Sequence, residues 1–247
     1  MDFKIIHIEE TDSTNRWLQS HSTPVPVCIW ADHQTAGRGC GTNSWESERG
    51  KNLTFSLLIH PEGIAANEQF RITEIVSVAM CQTLRQLLGE AHEVTVKWPN
   101  DIYVGDKKIC GILIENRLQG SAIKDCIIGI GLNVNQRAFH SSAPNPVSLY
   151  QLLGQETDLA QLLEAFLQAF DREWHSKTTC FAYREMLYRK GKDGLYKTKT
   201  TSSTGEAAEP SDFAATLTGV TPEGRLVLRH QDGEEHTYAF KEIQFII

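Results

Sequence analysis

The sequence predicts an α+β protein, a mixed β-sheet flanked by helices with a small all-β module behind it. Three observations carry that expectation. Apolar strand-like runs dominate the segment before Asn135. Two long stretches have apolar residues at helical spacing. From Leu195 onward only short strands and turns remain.

The elements follow in order. Residues 3–9, "FKIIHIE", suit a strand, and "TDSTNRWLQSH" suits a helix with Asp12 or Ser13 as its N-cap. "VPVCIWADH" is a second strand and "NLTFSLLIHP" a buried one, ended by Pro61. From Asn67 to Leu88 the residues Ile72, Ile75, Val76, Ala79, Leu84, Leu87 and Leu88 recur at helical spacing, and Gly89 ends the helix. Three strand-like runs come next, "EVTVKWPNDIYV", "KKICGILIENRL" and "DCIIGIGLNVN", the first two joined by a "GDKK" hairpin turn. Residues 136–147 read as a loop. Asp158–Trp174 is amphipathic, with Leu162, Leu163, Phe166 and Phe170 on one face, and a further helix is expected from about Cys180 to Lys190. After a boundary near residue 192, "TSSTGEAAEPS" reads as a flexible loop. "FAATLTGVT", "RLVLRH" and "HTYAFKEIQFI" read as strands. The division expected is 1–191 and 192–247.

Composition narrows the function classes. The chain has 247 residues and a net charge of −7, which disfavours a general binder of nucleic acid or anionic membrane. The start, "MDFKIIHIEE", lacks a basic region followed by an apolar stretch, so no secretory leader is expected. The six cysteines include no C-x-x-C pair and read as reduced thiols of a cytoplasmic protein. The histidines show no H-x-x-x-H spacing, so no protein-held metal is expected.

Three segments could carry chemistry. "GRGCGTNSWESERGKN" (37–52) follows a strand and is dense in glycine. It is neither a P-loop nor a dinucleotide fingerprint: Asn52 stands where the former needs Ser or Thr, and Thr42 where the latter needs its third glycine. "KWPNDI" (97–102) interrupts an apolar run. A strand end with a Pro-Asn-Asp turn is one reading. Because "IYV" resumes at once, a bulge presenting Lys97, Asn100 and Asp101 on one side is the more economical one. Lys108 opens an apolar strand, either as a solvated end or as a cation over a pocket. In "GIGLNVN" (129–135) the glycines leave room for a ligand or for a closely packed backbone. Asn133 offers an amide suited to a purine edge. Together these segments supply the cations Arg38 and Lys108, the flat Trp45 and accessible backbone N–H groups, with no partnered nucleophile. An anionic, nucleotide-like ligand fits them.

The ordered set "DSTN", "GRGCGTNSW", "GKNLTFSLLIHP", "KWPNDIY", "KKICGILIE", "GIGLNVN" and "DGEEHTYAFKEIQFI" resembles the biotin–protein ligase family over most of the chain. The resemblance implies a mixed-sheet catalytic domain with a small C-terminal SH3-like β-barrel. It also implies a two-step reaction. Biotin and Mg·ATP give biotinoyl-5′-AMP, and the acyl group then passes to one lysine of a biotin carboxyl carrier domain, such as that of acetyl-CoA carboxylase. By matching motif position, Ser13, Thr14 and Asn15 with Gln34 would face the ureido ring. Gly37, Arg38, Gly39 and Cys40 resemble the loop that folds over biotin and adenylate, with Arg38 on the carboxylate or phosphate. Trp45 would wall the adenine side, Lys108 would bridge carboxylate and α-phosphate, and Asp101 would orient or deprotonate the incoming amine. Asn133 would contact adenine, and Gly111 would let the ligand lie against its strand. The first strand begins at Phe3, so a ligase without a DNA-binding segment is expected, as monomer or homodimer, with no nucleic-acid or membrane partner. A lipoate-type ligase and a non-catalytic biotin sensor are the competing readings.

The family loop usually carries a long polar residue where Cys40 stands. Either Cys40 simply packs, or it leaves the adenylate without the arm that would hold it; on the second reading Cys40→Arg is expected to slow adenylate dissociation, read by chasing labelled adenylate from the protein, and an unchanged rate would favour the first.

Overall fold

The computed structural model describes every residue except Ser22, Ser142 and 200–210. The loop expected at 201–211 therefore lies, apart from Ser211, outside the described residues. Seven strands form the first sheet: β1 (Lys4–Thr11), β2 (Val27–Gln34), β3 (Leu53–Ile59), β4 (Val94–Lys97), β5 (Asp101–Val104), β6 (Lys107–Gln119) and β7 (Ala122–Leu132). Their spatial order is β1-β2-β3-β7-β6-β5-β4. Helix α1 (Thr14–Ser20) crosses between β1 and β2, which are therefore parallel, while the other neighbours are antiparallel. The helices that follow are α2 (Phe70–Leu88), α3 (Leu149–Leu153), α4 (Leu159–His175) and α5 (Thr179–Glu185).

Alternation along the strands gives the sheet two different faces. On β7, Ile128, Ile130 and Leu132 enter the main core with Phe55 and Leu57 of β3 and the apolar sides of α2 and α4. Ile127 faces the other way, in a smaller cluster with Leu18 of α1, Ile29 and Leu58. Gly129 shares that second face and lies against Asn15 of α1. The helical apolar spacing holds at Ile72, Ile75, Val76, Ala79, Leu84 and Leu88, all buried, whereas Leu87 is exposed. Gly89 ends α2 with φ of 67°. Asp158 caps α4 by accepting from the Gln161 N–H at 2.9 Å.

Four expectations need correction. "KWPND" is a hairpin end, not a bulge: Lys97 pairs with Asp101, and Trp98–Pro99–Asn100 makes the turn. Pro99 has no N–H for a ladder, and the Asn100 amide donates to the Ile112 carbonyl. The helix expected to reach Lys190 stops at Glu185. The Val96 N–H donates to Met186 O at 2.7 Å and the Tyr188 N–H to Val96 O at 2.8 Å, so β4 captures that backbone. The strand read over 236–246 is two, β11 and β12, in a second sheet of β8 (Asp193–Thr198), β9 (Asp212–Val220), β10 (Leu226–Arg229), β11 (Glu235–Tyr238) and β12 (Ile243–Ile246). Its order, β11-β10-β9-β8-β12, is SH3-like but open, not the closed barrel expected. At the break the Glu242 N–H donates to Ala239 O at 2.9 Å and the Ala239 N–H to Glu242 Oε2 at 2.7 Å. That turn uses backbone groups that could have extended the ladder and sends β12 to the edge beside β8.

The two sheets meet at the "KWPND" turn. The Trp98 indole N–H donates to Gly224 O at 3.0 Å, and Phe70 packs where a side chain at Gly224 would stand. No helix among the described residues is long and apolar enough to cross a membrane.

Phe166 is 1% exposed and meets Phe55 edge-on at 5.3 Å, joining α4 to the sheet. Phe166→Ala is expected to lower the unfolding free energy by about 3–5 kcal/mol, measured by urea denaturation.

Candidate active site

The face of the sheet turned toward α1 carries the site. Period-two alternation places Ser56 of β3, Gly129 and Gly131 of β7, and Gly111, Leu113 and Glu115 of β6 on that face. Gly111 and Gly131 are direct partners across the two strands. Together they make a bare patch, and the Trp45 indole lies on it. A Cβ at Gly131 would collide with the indole, and one at Gly111 would come within 3.0 Å of it. The indole Nε1–H is buried and has no partner among the described residues.

Trp45 reaches the patch because the glycine-rich segment folds back on itself. Arg38 bridges Ser44, the Gly39 N–H donates to Asn43 O at 2.8 Å, and the Trp45 N–H donates to Gly37 O at 3.0 Å. Gly37 admits this closure because a Cβ there would meet Trp45 O at 2.6 Å. The loop is also pinned from outside. Glu46 accepts from the His140 and Ser141 N–H groups at 2.9 and 2.6 Å and from the Gln136 amide at 3.0 Å. Burial acts to raise the Glu46 carboxyl pKa, and these hydrogen bonds outweigh it, leaving the pKa below the ordinary value.

A connected polar network runs beneath the loop. Gln34 Oε1 accepts from the Thr14 N–H at 2.8 Å and its hydroxyl at 3.1 Å. The Ser56 hydroxyl lies 2.7 Å from Thr14 Oγ1 and 2.6 Å from Asn15 Oδ1. The Asn15 amide donates to Glu115 at 2.7 Å, and Glu115 pairs with Arg38 at 3.2 Å. Asn15 thus has both ends of its amide engaged within the protein.

The cations converge at the "KWPND" turn. The Lys108 ammonium lies 2.6 Å from Asp101 Oδ1 and 5.8 Å from the centre of a Trp45 ring. Lys97, on the adjoining strand, has its ammonium 5.5 Å from the Tyr103 ring centre and 5.2 Å from that of Phe245. Burial pulls the Lys97 pKa below the ordinary lysine value, against the opposing effect of Asp101. Burial pushes the Tyr103 hydroxyl up to about 12.

These groups line two adjoining cavities. The first is bordered by Ser13, Thr14, Asn15 and Gln34 at one end and by Arg38, Gly39 and Cys40 along the loop. Trp45, Lys97, Asp101, Lys108 and Gly111 are also among its lining residues. Phe240, from the turn between β11 and β12, also lines it. The second cavity shares Trp45, Lys97, Asp101 and Lys108 and extends past Phe139, Ser141 and Pro144 to Asn133. The Asn133 amide donates to Val147 O at 3.1 Å, but its Oδ1 is buried with no partner among the described residues. Of the residues singled out by sequence, Gly37 alone stays behind the wall, and Asn133 lies in the second cavity. Sequence reasoning missed Ser56, Glu115 and Phe240 as site residues and placed Lys97 only on an expected bulge beside Asn100 and Asp101, with no ligand assigned to it. Ser56 and Glu115 had a signal: each follows the period-two spacing of its strand onto the glycine face. Phe240 had none.

The chain and its fold have relatives among known proteins. A model of the biotin/lipoate A/B protein ligase family matches residues 7–133. The bifunctional ligase/repressor BirA of Bacillus spizizenii is 29% identical over 94% of this chain and 70% of its own length. The biotin–[acetyl-CoA-carboxylase] ligase of Paracoccus denitrificans is 26% identical over 92% of this chain and 95% of its own. The solved biotin protein ligase of Aquifex aeolicus, in complex with biotin and ATP, superimposes with a TM-score of 0.79 at 23% identity, covering 98% of both chains.

Glu115 ties the loop arginine to the α1 asparagine. Removing it in Glu115→Ala is expected to speed amide exchange across residues 38–45 while leaving α2 amides unchanged, followed by hydrogen-exchange mass spectrometry.

Proposed function

We propose, for a chain that belongs to the biotin/lipoate A/B protein ligase family, an ATP-dependent ligase that activates biotin as biotinoyl-5′-AMP and transfers it to a carrier lysine. The observation that carries this reading is Lys108, held 2.6 Å from Asp101 beneath the Trp45 indole where two cavities join. One cavity suits an acid with a polar ring, the other a nucleoside, and their junction is cationic. We assign 1–191 to the catalytic domain and 192–247 to the C-terminal domain.

In the first step a biotin carboxylate oxygen bonds to the α-phosphorus of Mg·ATP. The bond from that phosphorus to the bridging oxygen breaks, and its electron pair leaves with pyrophosphate. Lys108 and Arg38 bring two anions together and stabilise the charge that develops at phosphorus. Arg38 must exchange Glu115 for substrate to do so. Mg²⁺ would enter with ATP and would offset the charge of its phosphates. Ser13, Thr14, Asn15 and Gln34 shape the ureido end. Gly37, Gly39 and Cys40 let the loop close, and Gly111 lets the ligand lie on its strand. The free Asn133 Oδ1 accepts a hydrogen bond from the exocyclic amine of adenine. In the second step a carrier lysine amine attacks the acyl carbon and AMP leaves. Asp101, released from Lys108, orients the amine and takes its proton. The carrier is the biotin carboxyl carrier domain of a biotin-dependent carboxylase.

The test is ATP–pyrophosphate exchange by the purified chain with biotin, lipoate, octanoate or no acid. Exchange with biotin alone is expected, and exchange with lipoate would replace the substrate. Lys108→Ala is expected to cut biotin-dependent exchange by roughly 100-fold or more, and no exchange with any acid would support a binding protein instead.

A further inference from the structure

Lys97 has no task in the mechanism above, yet its surroundings are unusual. It ends β4 opposite Asp101, whose carboxylate is committed to Lys108 at 2.6 Å. Among the described residues Lys97 forms no ion pair. Its ammonium lies instead near two aromatic rings, Tyr103 at 5.5 Å and Phe245 of the second sheet at 5.2 Å. Ring faces attract a cation without neutralising it. A half-buried ammonium held this way is stabilised further by an anion that arrives from outside.

Position says which anion. Lys97 and Lys108 both line both cavities, so the two ammoniums stand along the shared wall. The acids of that wall are already engaged: Asp101 by Lys108, and Glu46 by the His140 and Ser141 backbone and the Gln136 amide. If Lys108 marks the junction of carboxylate and α-phosphate, Lys97 is the next cation along the wall.

Resting on the ligase reading, we propose that Lys97 binds the β- and γ-phosphates of ATP and stabilises the pyrophosphate that leaves in the first step. The electron pair of the broken α-phosphorus–oxygen bond then departs onto a group already held by an ammonium. The C-terminal sheet takes part, because Phe245 walls the cation in.

Pyrophosphate is absent from the second step, which separates this role from packing. The experiment compares wild type, Lys97→Met, which keeps the unbranched stem, and Lys97→Arg, which keeps the charge. Two activities are read: biotin-dependent ATP–pyrophosphate exchange, and transfer from presynthesised biotinoyl-5′-AMP to an acetyl-CoA carboxylase biotinyl domain. Lys97→Met is expected to raise the KM for both ATP and pyrophosphate about tenfold or more, with transfer within about twofold of wild type and part of the loss recovered in Lys97→Arg. Unchanged exchange, or exchange and transfer falling together, would overturn the proposal. A wild type that transfers no biotin and shows no exchange would instead remove the ligase reading, and this proposal with it.

Discussion

The site depends on one contact, the Trp45 indole lying on the paired glycines Gly111 and Gly131. Two neighbouring strands present no side chain at the same level, so a flat group can reach the backbone. Everything around the patch is arranged by that approach. The loop must double back to deliver the indole, which is why Arg38 pairs with Ser44 and why Gly37 lies against Trp45 O. The indole in turn sets the roof over Lys108. A side chain at either strand glycine would lift the roof and separate it from the cations.

Charge in the site is balanced locally before any substrate arrives. Lys108 is matched by Asp101 and Arg38 by Glu115. Each carboxylate holds a flexible cation in place, and an incoming anion must displace it. Lys97 differs because aromatic rings, rather than an acid, surround its ammonium.

The second sheet belongs to the site as well as to the fold. Trp98 links the "KWPND" turn to Gly224, Phe240 lines the first cavity, and Phe245 covers Lys97. The turn that carries Asp101 is thereby held from both sides, by the Tyr183 hydroxyl on Pro99 O at 2.8 Å and by the second sheet.

The sequence by itself determined the sheet strands, the long helices and most of the site. Alternation and helical spacing are local consequences of burying one face, and they can be read without knowing what lies opposite. Glycine in an apolar strand, a cation in a glycine-rich loop and a charge at a strand mouth are equally local signals, so Gly131, Arg38 and Lys108 were legible, whereas Gly111 came only with the family resemblance. Tertiary structure decided what depends on a distant partner. The last helix stopped at Glu185 because β4 captured the backbone after it, and the final run split at Ala239–Glu242 because β12 had an edge to join beside β8. Glu115, Lys97 and Phe240 gained their places from contacts with Arg38, Phe245 and Trp98, groups far apart in the chain. Periodicity reports which face of an element is buried, while the identity of the group that meets it is set only when the chain has folded.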